Sequence, residues 1–456
     1  MTRPRTWLLI LGVAMATSTA FILACRQPLG ADGDALQYDA LGWNLAQGRG
    51  FSLETQAPFV PTMFREPLYP AWLAMLYRLV GHRPDLVPWF QVFLFAATSV
   101  ATYFLGRWLF HEAVGRWAGL ATACFPTLAN YPSYLLTETL ATFLLMGSVG
   151  LLSLGWHRRH LGWWGLAGLV WGGAMLCKAV MGPLLLLAVI GTIAIRSQGC
   201  SLRHRMIRGV TLLIGCSLVV APWILRNHRL FDVAQVSLRG ELVLWMRANK
   251  VQDDRAHTLQ AALYNFSESL GQVAFPSASA NPREVVLRDS HLALERRQAL
   301  VASGLTPGEA EHVMGREAWR LIQRHPFAYL LQTPVEWIKL TAFSYLPALT
   351  DPQADAWAAR RPYGRVVLSS ARGMVRMLAY PLLVLAAMGM WWQRRRWQAW
   401  WPLGLAMGYF NGVHALLFGY GRQTVPLIPF YLLFAAVGVA TWRRQLTEVR
   451  RHAAAI

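Results

Sequence analysis

The densest group of carboxylates in the chain lies in the stretch GADGDALQYDALGWNLAQGRGF, residues 30–51, where Asp32, Asp34 and Asp39 fall within eight residues. A carboxylate within hydrogen-bond reach of a hydroxyl can take its proton and act as a general base. Helix positions five apart are offset by about 140°, so Asp34 and Asp39 are not expected to share a face. At most one of them is therefore expected to point into a given site, which argues against a paired-carboxylate mechanism, and we interpret Asp32 as a solvated loop residue.

A short amphipathic helix is predicted to carry these acids. The residues ALQYDALGWNLAQG place Tyr38, Leu41 and Leu45 on one stripe, which is typical of a helix that packs one side against a larger body. Such a helix would hold Asp34 in a defined orientation beside the first apolar run.

Three arginines are candidates for binding a phosphate group. Arg65, Arg226 and Arg422 each stand beside an apolar run, and a guanidinium group can bind two phosphate oxygens at once. Any one of them alone would equally suit an anchor that extends its charge to the membrane interface. Their expected position on the same side as Asp34 favours a shared site.

Several other polar residues stand at the ends of apolar runs. Glu138 and Lys178 are ionisable there, which is costly unless they pair with each other or bind a substrate. Tyr131 and Tyr134 suit either stacking on a sugar or an aromatic belt at the interface. The twelve histidines show no metal-ligand spacing, so a zinc site is not expected. No cofactor is predicted, and the sequence leaves dependence on a divalent cation open.

The composition places the chain in a membrane. Of its 456 residues 55% are hydrophobic and only 14% are charged, far from the balance of a soluble protein. Nine further runs make the first one a retained anchor rather than a cleaved signal peptide. The apolar runs long enough to cross a bilayer are residues 7–24, 86–105, 117–131, 138–155, 162–178, 180–195, 209–225, 374–392, 398–418 and 424–441.

The net charge of +20 is distributed in short basic clusters between the apolar runs. With a cytoplasmic N-terminus and ten crossings, every cluster falls on the cytoplasmic side, as the positive-inside rule requires. This pattern favours a membrane protein over one that binds nucleic acid. The sequence therefore predicts an all-α polytopic membrane protein with about ten or more transmembrane helices.

The same topology predicts three regions. Residues 1–225 form an N-terminal transmembrane module that includes the first loop, residues 26–85, on the outer face. Residues 226–373 form a small helical loop domain on that face, and residues 374–456 form the C-terminal transmembrane helices.

Two helices are predicted in the loop domain. TPGEAEHVMGREAWRLIQRHP begins with Thr306 as the N-cap and Glu309 at the capping-box position. Residues 327–347 are long enough to cross, but Glu336 and Lys339 interrupt them, and a crossing would move the basic cluster QRRRW to the outer face. We interpret this stretch as an interfacial or re-entrant helix.

Several motifs occur in a characteristic order along the chain. They are Asp34 after the first run with Tyr38 four residues on, NLAQGRGF, a basic residue before PLYP, LLTETLATFLL, CKAVMGPLLLL, APWILRNHRLFDVAQVSLRGELVLWMRAN and GRQTVPLIPFY. In this order they resemble GT-C glycosyltransferases, in the bacterial branch related to the protein O-mannosyltransferases and the lipid A aminoarabinose transferase.

The resemblance implies transfer of a sugar, with inversion, from a polyprenyl-phosphate-linked donor to an envelope lipid, glycan or protein on the outer face of the bacterial inner membrane. The residue that matches the family's acid at the acceptor is Asp34. We expect the donor phosphate to bind Arg65, Arg226, Arg422 and Lys178. The expected substrate-binding residues are Tyr38, Asp39, Glu66, Tyr131, Tyr134, Glu138 and Asn227.

Two departures from the family pattern concern the first loop. Ala35 stands where many relatives carry a glutamate, which argues against a metal held by an acid pair. Arg65 replaces a lysine as the cation, and Glu66 replaces a proline without an evident reason.

Two other classes of function compete with this interpretation. A transporter or flippase for a lipid-linked glycan needs polar or broken helices near the bilayer midplane, whereas the ionisable residues here gather at one side. A non-catalytic scaffold would account for the hydrophobicity, although not for the ordered acid and arginines.

Overall fold

The computed structural model describes residues 5–24, 33–158, 160–196, 200–252, 282–341, 352–419 and 421–453, with short pieces at 259–260, 263, 273–275 and 349. Throughout these residues the regular structure is helical. Asp32 and residues 342–347, which figure in the sequence predictions, lie outside the described residues.

The helices are numbered in chain order. They are α1 Thr6–Ala24, α2 Gly33–Ala46, α3 Leu68–Val80, α4 Val87–Leu109, α5 Glu112–Cys124, α6 Pro126–Asn130, α7 Glu138–Arg158, α8 Leu161–Cys177, α9 Met181–Ala194, α10 Leu202–Phe231, α11 Arg239–Asn249, α12 Pro282–Ala302, α13 Pro307–Arg324, α14 Pro326–Leu331, α15 Thr333–Thr341, α16 Pro352–Ala359, α17 Gly364–Trp392, α18 Trp397–Leu417 and α19 Ile428–Ala453. Short 3₁₀ segments include Tyr131–Ser133, Lys250–Gln252 and Gly421–Leu427.

Six stretches of the described chain are long and apolar enough to cross a membrane. Two shorter apolar helices, α8 and α9, accompany them. Together they confirm the predicted all-α polytopic membrane fold. The six stretches are Thr6–Ala24, Pro84–Leu109, Glu138–Arg158, Leu202–Phe231, Gly364–Trp392 and Gly421–Thr447.

The predicted run 117–131 is wrong as one continuous helix. Helix α5 ends at Cys124, Phe125 is extended, and α6 starts at Pro126. The residue before a proline avoids the helical conformation, which explains the break. Helices α5 and α18 overlap predicted spans, but neither is among the six long apolar stretches.

Glycines bring several of the apolar helices into backbone contact. A Cβ on Gly168 of α8 would lie 2.2 Å from the carbonyl oxygen of Leu212 in α10, and one on Gly215 would lie 2.5 Å from that of Gly165. Small residues commonly allow such close packing between helices in membranes. Helices α8 and α10 therefore form one rigid pair in the body of the protein.

The first loop packs as a helical hairpin on this body. Helix α2 buries Tyr38 and Leu41, as the predicted stripe requires, while Leu45 is half-buried. A Cβ on Gly42 would lie 2.7 Å from that of Leu73 in α3, so α2 and α3 are in close contact. This packing fixes the orientation of the side chains on α2.

The loop domain has its own small apolar core. Trp245, Met246, Ala293, Met314 and Tyr329 are buried together between α11, α12, α13 and α14. The predicted start of α13 is confirmed, because the Thr306 and Glu309 side chains form the reciprocal capping box. The described part of the predicted stretch 327–347 forms two short helices, α14 and α15, instead of one. Neither is among the six stretches long and apolar enough to cross a membrane.

We predict that Gly168→Ala destabilises the protein by about 1–3 kcal/mol, because overpacking at a backbone contact forces α8 and α10 apart. The matched control is Gly150→Ala on α7, where a Cβ would meet nothing within 4 Å. Unfolding in SDS followed by circular dichroism measures both variants. Equal stability of the two would contradict this account of the helix packing.

Candidate active site

Asp34 is the centre of a group of charged residues. Its carboxylate pairs with Arg65, with Arg422 at 3.0 Å from Nη1 to Oδ2, and with Arg239 at 3.7 Å from Nη2 to Oδ1. The three arginines come from the segment before α3, the 3₁₀ segment before α19 and the first residue of α11. One carboxylate thus joins the first loop, the loop domain and the C-terminal helices.

A second carboxylate, Glu138, lies beside the first. Its Oε1 accepts hydrogen bonds from Arg422 Nε at 2.7 Å and from Lys178 Nζ at 2.9 Å, and the residue is fully buried. Glu138 is the first residue of α7, where the helix dipole favours negative charge. Arg422 therefore bridges both carboxylates.

A buried glutamine holds the turn that leads to Glu138. Gln91 of α4 donates from Nε2 to the carbonyl oxygens of Pro132 at 3.1 Å and Tyr134 at 2.7 Å. Its Oε1 accepts from the Tyr69 hydroxyl of α3 at 3.3 Å. The start of α7 is thereby fixed relative to the first loop.

Arg65 rests on an aromatic platform. Its guanidinium carbon lies 5.0 Å from the centre of the Tyr38 ring and 5.3 Å from that of Phe64, and Nε donates to Gln37 Oε1 at 2.8 Å. The side chain is almost fully buried, yet Nη1 has no hydrogen-bond partner in the described part of the chain. A buried donor without an acceptor is costly, so this N–H is available to a ligand oxygen or a water molecule.

The ion-paired group carries an excess of positive charge. Among the described residues, four cationic side chains face two carboxylates, which leaves an excess of two. Glu66 lies nearby, where its Oε1 accepts from Ala179 N at 3.4 Å and Ser237 Oγ at 3.3 Å, and it reduces the excess to one. The site is therefore electrostatically suited to an anion.

The arginines also set the basicity of Asp34. Burial raises the pKa of its carboxyl group, but the charges of Arg239, Arg65 and Arg422 outweigh that effect and hold the pKa well below its usual range. In this arrangement Asp34 is an ionised and weak base. An anion that occupied the arginines would allow its pKa to rise.

Asp39 faces another direction, as predicted from its spacing. Its carboxylate accepts from the Tyr77 hydroxyl at 2.6 Å and lies 3.0 Å from His82 Nε2. The ring of His82 is stacked on Trp43, with centroids 4.6 Å apart. These contacts tie α2 to the segment after α3, on a different side of the helix from Asp34.

Arg226 and Asn227 hold the end of α10 against the first loop. Arg226 Nη1 donates to Thr62 O at 3.0 Å, and its guanidinium carbon lies 4.5 Å from the centre of the Trp223 ring. Asn227 is fully buried and donates to Gln235 O at 2.8 Å. The recorded contacts of the described residues thus place Arg226 outside the group around Asp34. Trp223 lies three residues earlier on the same helix and offers the guanidinium a nearer partner.

Tyr131 and Tyr134 are buried rather than open to a sugar. Their exposed fractions are 1% and 6%, so neither ring offers a face for stacking in this structure. Tyr131 lines a cavity of about 10 Å³ together with Glu138 and Thr139, which is room for roughly one water molecule. Their predicted role in binding substrate is not supported by this placement.

Arg239 was not predicted from the sequence. It lies in the stretch SLRGELVLW, away from any apolar run, as the first residue of α11. The motif that begins at APWILRN includes this stretch, and that was the available signal. In the described residues no group of three His, Cys, Asp or Glu side chains could hold a metal ion.

A family model described as dolichyl-phosphate-mannose-protein mannosyltransferase matches residues 65–225. That is about a third of the chain, and it includes Arg65, Glu138 and Lys178. No curated protein sequence matches the chain.

The structure is similar to the oligosaccharyltransferase AglB of Archaeoglobus fulgidus. The AglB complex with an inhibitory peptide and a dolichol-phosphate is 12% identical, with a TM-score of 0.52, and covers 99% of this chain and 52% of that chain. A second AglB structure, tethered to an acceptor peptide, gives a TM-score of 0.54 at 12% identity over 98% and 51% of the two chains. The present chain thus spans about half the length of AglB.

ArnT of Cupriavidus metallidurans bound to undecaprenyl phosphate is 14% identical, with a TM-score of 0.42, over 95% of this chain and 77% of that chain. The likeness to AglB carries the conclusion: the chain has a GT-C fold, as the sequence motifs predicted.

We predict that Asp34→Asn increases the affinity for inorganic phosphate by about tenfold, or about 1.4 kcal/mol. The substitution removes the anion that already occupies the arginines and leaves their charge uncompensated. The matched control is Asp39→Asn on the same helix, where the carboxylate contacts Tyr77 and His82 instead. Thermal unfolding against phosphate concentration measures the effect, and equal responses of the two variants would exclude this role of Asp34.

Proposed function

We propose that the protein is a glycosyltransferase that moves a sugar from a polyprenyl-phosphate-linked donor to an acceptor on the outer face of the bacterial inner membrane. The observation that carries this proposal is the convergence of Arg65, Arg239 and Arg422 on Asp34. Two findings support it further: the fold shared with AglB, whose structure contains a dolichol-phosphate, and the matching mannosyltransferase family model.

The arginines would bind the phosphate of the donor lipid. When the bond between the sugar and the phosphate breaks, negative charge develops on the leaving phosphate, and fixed cations stabilise that charge. Arg422 and Arg65, whose Nη1 has no acceptor among the described residues, are suited to this task, because guanidinium groups bind phosphate oxygens in pairs. Lys178 would contribute a further positive charge through its contact with Glu138.

The charge balance of the described residues is compatible with a monophosphate carrier. A sugar phosphodiester carries one negative charge, and the released monoester carries about 1.5 to 2 at neutral pH. The excess of two positive charges, or one when Glu66 is included, matches that range.

Asp34 would act as the general base once the phosphate is bound. An acceptor hydroxyl must lose a proton as it attacks the anomeric carbon, and a single displacement inverts that carbon. Binding of the phosphate would draw the arginines away from Asp34, so its pKa would rise towards its ordinary value. Base and leaving-group site would therefore become active together.

The loop domain would hold the acceptor over this site. Arg239 begins α11 and reaches Asp34, so the domain contacts the catalytic carboxylate directly. The acceptor is proposed to be an envelope lipid, glycan or protein with a free hydroxyl group.

We expect Asp34→Asn to lower sugar transfer by at least about 100-fold, because a general base typically contributes a factor of this order. Asp39→Asn should retain transfer. Mass spectrometry of lipid-linked sugars and envelope glycans, from cells that carry each variant, should show accumulated donor and one missing sugar for Asp34→Asn alone. Unchanged transfer by that variant would falsify the catalytic assignment.

Arg422→Ala should weaken binding of undecaprenyl phosphate by about 10- to 100-fold, since a hydrogen bond to a charged group contributes about 1.5–3 kcal/mol. Arg226→Ala, whose side chain contacts Thr62 and Trp223, should change it little. Binding to the protein in nanodiscs can be measured with a labelled lipid. Equal losses in the two variants would show that the phosphate does not bind at Asp34.

A further inference from the structure

A second buried group of charges lies where α15 meets the segment that carries Arg422. Glu336 is fully buried, and its Oε2 accepts a hydrogen bond from the backbone N–H of Gly419 at 2.7 Å. Gly419 lies three residues before Arg422. The carboxylate thus holds the backbone just ahead of that arginine.

The other oxygen of Glu336 joins this segment to the loop domain. Its Oε1 accepts from Lys250 Nζ at 2.9 Å and Lys339 Nζ at 3.1 Å. Lys250 also pairs with Asp289 of α12 at 2.9 Å. One carboxylate therefore connects the end of α11, helix α12 through Lys250, helix α15 and the chain at Gly419.

The segment around Arg422 is in close contact with α15 on both sides. A Cβ on Gly419 would lie 2.1 Å from the carbonyl oxygen of Glu336, so only glycine fits there. Beyond Arg422, the Thr424 hydroxyl donates to Leu340 O at 3.1 Å. These contacts hold Gly419 and Thr424, one on each side of Arg422, against α15.

Helix α11 connects the two groups of charges. Arg239 at its first residue contacts Asp34, which also binds Arg422, and Lys250 directly after its end contacts Glu336. Both ends of α11 are thus linked to the chain around Arg422. Asp34 contacts both arginines directly, and Glu336 links Lys250, after α11, to Gly419, which lies before Arg422.

We propose that Glu336 is a positioning residue that sets the spacing of Arg239 and Arg422, so that the phosphate site is complete only when the loop domain is docked. This inference rests on the proposed function, because it assumes that both arginines bind a lipid phosphate. Glu336 itself is too far along the chain of contacts to touch the phosphate, and it acts through Gly419 and Lys250.

The test uses the full-length protein in nanodiscs with two probes, undecaprenyl phosphate and the uncharged alcohol undecaprenol. Glu336→Gln keeps the shape of the side chain but removes its negative charge. The ammonium groups of Lys250 and Lys339 then share a single carboxylate, that of Asp289. The second variant, Glu336→Gln with Lys339→Met, restores the charge balance. In both variants we expect affinity for the phosphate to fall by about tenfold and affinity for the alcohol to be unchanged, whereas general damage would lower both.

A double-mutant cycle with Arg422→Ala identifies the route of the effect. If Glu336 acts through Arg422, Glu336→Gln causes no further loss in the Arg422→Ala background. The matched control is Glu317→Gln in the loop domain, whose carboxylate binds Arg296 and Trp245, and it should leave phosphate affinity unchanged.

Additive losses in the cycle, or equal losses for both probes, would overturn the inference while the proposed function stands. If Arg422→Ala itself leaves phosphate affinity unchanged, the proposed function fails and this inference fails with it.

Discussion

The structure depends on the cost of burying a carboxylate. Glu138 is fully buried and Asp34 is half-buried, and both are tolerated because cations surround them. Removing one partner of a buried ion pair is strongly destabilising. Arg422 serves both acids, so α2, α7 and the segment before α19 must meet at one place. The same electrostatic demand that assembles the helices also concentrates positive charge at a single end of the bundle.

The glycine contacts hold the apolar helices together, and the ion pairs hold the loop domain. Backbone contact between α8 and α10 gives a rigid body on which Lys178 has a fixed position at the end of α8. The loop domain is instead held by shared carboxylates at both ends of α11. Charged contacts can exchange partners more readily than close-packed glycine contacts can.

Sequence reasoning found the helices and part of the site for physical reasons. Apolar runs and the capping box at Thr306 are local signals, and Asp34, Arg65 and Arg422 do lie together. Partners distant in the chain could not be derived in the same way. Arg239 follows no apolar run, although it contacts Asp34. Arg226 packs on the nearby Trp223 ring instead of pairing with an acid, and only tertiary packing determines that outcome.

Because Asp34 already pairs with the arginines, a weakly binding anion cannot easily occupy the site. Any anion must first compete with a carboxylate that is already in place. A free phosphate ion could compete only through its charge. A phosphate on an isoprenoid chain would gain a further binding free energy of about 0.8 kcal/mol for each methylene group that is buried. Under the proposed function, this competition would favour a phosphate carried by a hydrophobic tail over abundant soluble anions.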